Sequence, residues 1–214
     1  MFQDQTGAFS DQIQRNYPDE RVKLRTKGSF LDTFPGAKDG EMDILKNDRG
    51  IIFPYTPTIM LQHQASYQDH QPVHSNFAYK YFQNYSIPDF TVTGRFTCHT
   101  INEGIHSAAC YHFLKSAMKI GFGENDDQRG VPPPVLRFDA YGPGIARNWS
   151  VVVTGVMLNL DPGCDYVWAT LETKLPISFE LIINLGITYN TQRTRTEFTS
   201  KDFYSGALLK NGYS

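Results

Sequence analysis

Between Pro176 and Asn190 the chain alternates with a strictness that leaves little choice of local structure. The odd positions Ile177, Phe179, Leu181, Ile183, Leu185, Ile187 and Tyr189 are apolar. The even positions Ser178, Glu180, Asn184, Gly186, Thr188 and Asn190 are polar or small, with Ile182 as the exception. A period of two is the signature of a strand with one face on a core and the other on something wet. At about 3.3 Å per residue, a strand over this stretch would run roughly 40 Å, well beyond the usual five or six residues. Such a strand either bends around its own domain or reaches towards a neighbour.

The rest of the sequence fits a β-rich neighbourhood for it. Aromatic residues make up 14% of the chain, and with many Thr and Val they favour strands over helices. Ile51–Pro57 reads as a strand broken by Pro54 and Pro57, which suits an edge or a bulge, and Thr58–Gln64 resumes it. After the link Asp69–Pro72, the alternation of Phe77, Tyr79 and Tyr81, then of Phe90, Val92, Phe96 and Cys98, predicts one long hairpin over Asn76–Thr100, turning at Ser86–Asp89. Three prolines, Pro132–Pro134, lead into a strand over Val135–Tyr141. Further strands are predicted at Trp149–Leu160 and Asp165–Leu171.

One helix stands out, over about 103–120. Asn102 is the expected N-cap, Glu103 suits the first turn, and Lys115 and Lys119 suit the last. Ile105, Ala109, Phe113 and Ala117 form an apolar stripe flanked by Ala108, Leu114 and Met118. The sum is about seven strands and one helix: a mainly β, antiparallel sandwich or barrel with one flanking helix. Residues 1–48 are polar and irregular, with a short strand expected at Met42–Leu45. The expected organisation is an N-terminal arm over 1–48, a β domain over 49–191 and a C-terminal arm over 192–214, the arms ordered by the domain or by neighbouring subunits.

Charge and cysteine usage narrow the function classes. The formal net charge is −2, which argues against an electrostatic nucleic-acid or membrane binder. Three cysteines, Cys98, Cys110 and Cys164, lie at no repeated spacing, as expected of free thiols in a reducing compartment. The first 21 residues lack the apolar run of a signal peptide, and no apolar run is long enough for a spanning helix.

No catalytic constellation emerges. His63, His70 and His74, and His99, His106 and His112 with Cys98 and Cys110, invite a zinc reading. However, His70 and His74 sit in a Pro-containing link, and His106 and His112 do not share a helix face. Ordinary histidines are the favoured reading. Glu124, Asp126 and Asp127 supply oxygens without the ligand order of a calcium loop. Cys110 is expected to be a structural thiol, and Gly121–Gly123 is a helix-capping feature, not a phosphate cradle. The tail from Arg193 to Tyr204 is basic and aromatic, but Glu197 and Asp202 offset it, and packing on a neighbouring subunit is favoured over nucleic-acid binding.

Three stretches taken together carry a resemblance. They are residues 50–68 (GIIFPYTPTIMLQHQASYQ), residues 103–126 around the helix, and residues 129–144 with PPPVLRFDAYG. In order and spacing they resemble the baseplate tail-tube proteins of contractile-tailed bacteriophages, the tube-initiator and tube-cap rings. The resemblance spans roughly residues 48–190, about two thirds of the chain. It implies a tail-tube fold assembled as a six-fold ring in the virion, built in the host cytoplasm, with no enzymatic activity and no cofactor. It also implies partners: other copies of the chain, adjacent tube and baseplate rings, the central hub or spike, and the tape-measure protein. DNA would pass through the lumen without sequence-specific binding. Family members are longer and carry added domains, so the resemblance does not choose between initiator, cap and another tube ring.

On that reading the polar sides of the long β elements line the channel, which makes Thr91, Thr93, Arg95, Thr97, Ser178, Glu180, Asn184 and Thr188 the candidate lumen residues. The polar face of the long strand carries one carboxylate, Glu180, and little basic charge, as suits a conduit that must not hold phosphate. The alternative from a different class is a soluble β-barrel that binds a ligand or metal, or an enzyme, using the His and Cys residues.

Overall fold

The computed structural model describes residues 21–26, 41–46, 49–123, 129–168 and 174–213. These residues are mainly β, and every strand pairing is antiparallel. Eleven strands can be traced. They are β1 (Lys23–Thr26), β2 (Gly50–Ile52), β3 (Thr58–Met60), β4 (Gln64–His70), β5 (Tyr79–Ser86), β6 (Phe90–Thr97), β7 (Leu136–Ala140), β8 (Ala146–Leu160), β9 (Tyr166–Trp168), β10 (Lys174–Pro176) and β11 (Ser178–Ile187). Seven of them form one sheet in the order β2-β1-β7-β8-β11-β6-β3, which runs open from β2 to β3 among the described residues. The pairs β4–β5 and β9–β10 are separate two-stranded ribbons.

The alternation at Ile177–Tyr189 puts Phe179, Leu181, Ile183 and Leu185 in the core, each at most 2% exposed. The strand itself is shorter than expected. Ten residues pair as β11, about 33 Å at the usual rise, while Lys174–Pro176 belongs to the β9–β10 ribbon. Ile177 is the joint: its amide donates to the carbonyl of Asp165, and its carbonyl accepts from the amide of Cys98. The long strand is β8, with fifteen residues. A bulge at Thr154 shifts its register against β11, so that Asn184 faces Gly155 and Leu185 faces Val153. The extra residue restores phase: Trp149, Val151 and Val153 before it, and Val156 and Leu158 after it, all turn to the core.

The core lies between this apolar sheet face and a helix, α1 (Ile101–Ser116), which buries Gly104, Ser107, Ala109, Cys110, Phe113 and Leu114. Aromatic rings fill the space. Phe90 packs on Phe138 at 5.3 Å and edge-on to Trp149 at 6.0 Å, and Phe96 stacks on Phe179 at 5.7 Å. Gly94 is required by close packing, because a Cβ there would lie 2.4 Å from the Phe53 ring. The helix starts earlier than Asn102. Thr100 is the N-cap and accepts from the Glu103 amide at 3.3 Å, and the Glu103 carboxylate accepts from the His99 amide at 2.8 Å. This is the reciprocal geometry of a capping box, displaced by one residue on the return bond.

Three sequence expectations are corrected. The hairpin over Asn76–Thr100 does not form: β5 pairs with β4, whereas β6 pairs with β11 and β3 in the main sheet. Met42–Leu45 lies in a 3-10 turn over Glu41–Leu45, not in a strand, and Met42 and Leu45 are buried in the core. The stretch assigned to an N-terminal arm also supplies β1, which is inserted between β2 and β7, so the core extends past residue 48 on the N-terminal side. The other arm likewise folds back on its own domain. Residues 191–213 form α2 (Thr191–Glu197), α3 (Ser200–Tyr204) and a 3-10 turn over Ala207–Asn211, with Leu208 and Tyr213 buried. Tyr213 stacks on Tyr189 at 6.4 Å and packs on Phe198 at 5.8 Å. The helices therefore number more than the single flanking one expected.

Candidate functional site

The sheet has a second face, and the sequence-predicted channel residues gather on it. Pairing sets Ser178 against Thr97, Glu180 against Arg95, Ile182 against Thr93 and Asn184 against Thr91. The polar sides of β6 and β11 thus form one surface, although no hairpin joins the two strands. On the other side of β11, Asn159, Met157 and Gly155 of β8 continue the same face. Thr58 and Met60 of β3 extend it at one edge, and Arg137 and Asp139 of β7 with Lys23 and Arg25 of β1 extend it towards the other.

Side-chain bonds tie the strands together across this face. Thr91 Oγ1 donates to Asn184 Oδ1 at 2.9 Å, and Arg95 Nε donates to Ser178 Oγ at 3.0 Å. Thr97 shares a 3.0 Å hydrogen bond with the Tyr55 hydroxyl. Glu180 and Asn184 are exposed, and Thr91, Thr93 and Thr97 are half-buried. Ser178 departs from the expectation. It points to the same face but is only 8% exposed, in a notch lined by Arg95, Leu160, Asp161 and Pro162, so it anchors Arg95 and does not present a free hydroxyl. Thr188 lies past the end of β11, its amide bonded to the Ser150 carbonyl, in a cleft that α2 and the C-terminal residues roof over with Arg193 and Tyr213.

The charge of this face is also revised. Lys23, Arg25, Arg95 and Arg137 share it with Asp139 and Glu180, so the whole face is less acidic than β11 alone suggests. The three arginines are held close to the sheet, Arg95 by Ser178. Arg25 pairs with Asp139 at 2.5 Å, and Arg137 donates to the Asn148 carbonyl at 3.0 Å. Asp139 in turn accepts from the Asn148 amide at 2.8 Å. A guanidinium engaged in this way has fewer free donors for a passing phosphate. The sequence reading missed β1 and its cations. The signal was present in Val22, Leu24 and Thr26 alternating with Lys23 and Arg25, but four residues with two charges are a weak strand signature.

The histidines and cysteines do not converge. Among the described residues no three His, Cys, Asp or Glu side chains form a group able to hold a metal. His63 bonds the Tyr85 hydroxyl, His70 sits edge-on to Tyr81, and His106 approaches Cys110 Sγ at 3.7 Å. Cys98 and Cys110 are fully buried. Burial pushes the Cys98 thiol above its ordinary value, outweighing the bond to Ser107, so it is kept as a neutral thiol. Glu124, Asp126 and Asp127 lie outside the described residues. A scan against protein-family models found no match for this chain, and a search of curated proteins found no similar sequence.

Proposed function

We propose that the chain is a structural virion protein: a baseplate ring subunit of the tail-tube type that joins the hub or spike to the tube, initiates tube polymerisation and lines the channel for genome ejection. The observation that carries this reading is the division of one sheet into two faces. One is sealed by α1 and an aromatic core. The other is wide and mainly polar, with Thr58, Met60, Arg95, Met157, Asn159, Glu180 and Asn184 exposed along β3, β6, β8 and β11. In a ring of copies such a polar face becomes the wall of a lumen. The β4–β5 ribbon, exposed along both strands, supports the same reading, since an isolated two-stranded hairpin is marginal in water and gains from a neighbour.

Light scattering and negative-stain imaging of the purified chain test this reading directly. Six-fold rings or short stacks are the expected outcome, and a strictly monomeric protein carrying stoichiometric zinc would sink it. A finer test addresses the face. Glu180→Lys with Asn184→Lys adds two exposed cations to each copy without touching the core, so rings should form normally while genome passage slows. Unchanged ejection would show that this face does not line the channel.

A further inference from the structure

Tyr85, at the base of the β4–β5 ribbon, meets Tyr189 and the C-terminal segment around an open cleft of about 380 Å³, lined by Tyr85, Tyr189, Thr194, Phe198, Phe203 and Tyr213. Its volume lies within the range of ligand pockets, roughly 300–1,000 Å³, but its chemistry is unusual in offering rings and few free polar atoms. The Tyr85 hydroxyl is bonded to His63, the Tyr213 hydroxyl approaches the Arg193 carbonyl and Glu197 at 3.4 Å, and Thr194 Oγ1 donates to the Asn190 carbonyl. Burial pushes both the Tyr85 and Tyr213 phenols up, so they stay neutral. The Arg193 guanidinium already lies 5.8 Å from the Tyr213 ring, which discourages a second cation. The occupant that fits is neutral and apolar.

The same chain carries such a group at the far end of the same ribbon. The loop joining β4 to β5 holds Val73 and Phe77, 85% and 73% exposed. Phe77 is pre-set by a local bracket: its amide donates to Ser75 Oγ, and the Ser75 hydroxyl donates to its carbonyl at 2.9 Å. The tip cannot turn back into its own cleft. From Tyr79 to Tyr85 alone β5 runs about 20 Å, and Phe77 lies beyond Tyr79 on the same paired ribbon. Phe122 is as exposed, with Ile120 and Val131 beside it, but it follows α1 directly and is not carried at the end of a projecting ribbon.

We propose that the aromatic cleft receives the β4–β5 tip of a second copy of this chain, with Phe77 seated among Tyr85, Phe198, Phe203 and Tyr213. The contact is heterologous: each copy gives a tip and accepts one, so it propagates into a ring or stack and does not close as a two-fold dimer. It rests on the reading of the chain as a self-assembling ring subunit and specifies one joint of that assembly.

The test uses the full chain in sedimentation velocity over a range of concentrations. Phe77→Asp spoils the tip at an exposed position, and Thr194→Arg fills the cleft without removing a core ring. Circular dichroism confirms that both variants fold. Each should raise the concentration needed for assembly by about 10- to 100-fold, the worth of one buried phenylalanine. Mixed in equal amounts, the two variants should form 1:1 dimers and nothing larger, because one intact tip meets one intact cleft. Rings that persist unchanged in Phe77→Asp would overturn the tip contact and leave the ring standing. Folded variants that fail to pair when mixed would also overturn it. A wild-type chain still monomeric at about 1 mM would overturn both readings together.

Discussion

The seven-stranded sheet and the β4–β5 ribbon are built from the same residue types and differ in what surrounds them. In β11, Phe179 and Leu181 are buried in the core, Phe179 stacked on Phe96. In the ribbon, Tyr67, Tyr79, Tyr81 and Phe82 remain more than half exposed. Along most of its length the ribbon is held by cross-strand contacts, Tyr67 edge-on to Phe82 at 5.7 Å, Asp69 with Lys80 at 2.8 Å, and Gln83 donating to Gln68 at 3.0 Å, while Tyr85 at its base lines the cleft with Tyr189. Such pairs contribute roughly 0.2–1 kcal/mol each, and the exposed ion pair least. Aromatic content therefore says that a strand is present, but not that it belongs to a core. The ribbon's rings stay on the surface, whereas the sheet's rings fill the core.

That contrast can be broken from either side. The largest effect belongs to Phe179→Ala, which removes a ring stacked on Phe96 and should cost about 3–5 kcal/mol in chemical denaturation. Next is Gly212→Ala. Its φ is +86°, and a Cβ would lie 2.3 Å from the Asn148 carbonyl oxygen, so the C-terminal segment should lift off at a cost of at least about 1 kcal/mol. Hydrogen exchange should then rise over 191–213 and leave β6 and β11 unchanged.

Thr100→Ala removes the N-cap of α1 and should cost about 1 kcal/mol. The same cap carries a pH signature. The His99 amide bond, ahead of the smaller contributions from Thr100, holds the Glu103 carboxyl below its ordinary value. A depressed carboxyl stabilises the fold above its unfolded pKa and loses that contribution as pH falls through the folded pKa. The stability gap between wild type and Glu103→Gln should therefore be present at pH 7 and close on acidification through the carboxylate range. The smallest effect is Tyr67→Ala, below about 1 kcal/mol for the single chain. Exchange of the β4–β5 amides should be fast in dilute protein and slow on assembly. A large loss of monomer stability in Tyr67→Ala would erase the distinction between the two regions.

The helix, the β7 strand and the core side of β11 were legible because each repeats its period over enough residues to exclude the other reading. The capping box was equally visible as Thr100-Ile101-Asn102-Glu103, yet Asn102 beside it offered a competing cap. The hairpin over Asn76–Thr100 failed for a different reason. Two adjacent alternating runs with a turn between them are what a hairpin requires, but periodicity carries no information about which strand pairs with which. Tyr79–Ser86 and Phe90–Thr97 part company at Pro88, one outward to Gln64–His70 and the other inward to β11. Of the candidate channel residues, the shared face of Thr91, Thr93, Arg95, Thr97, Glu180 and Asn184 followed from alternation once the register was known. The burial of Ser178 beneath Arg95 and the roofing of Thr188 did not.

Sequence by itself determined which side of each strand is apolar, because alternation is a local property fixed by the geometry of the extended backbone. Only the tertiary structure decided that the polar sides of β6 and β11 form one continuous surface, because strand pairing joins residues more than eighty positions apart. It also decided that the aromatic run at Tyr79–Tyr85 stays outside the core, since burial depends on what the rest of the chain brings to cover a strand. The strand first legible in the sequence lies at the centre of both decisions: its odd residues close the core, and its even residues meet the wet face.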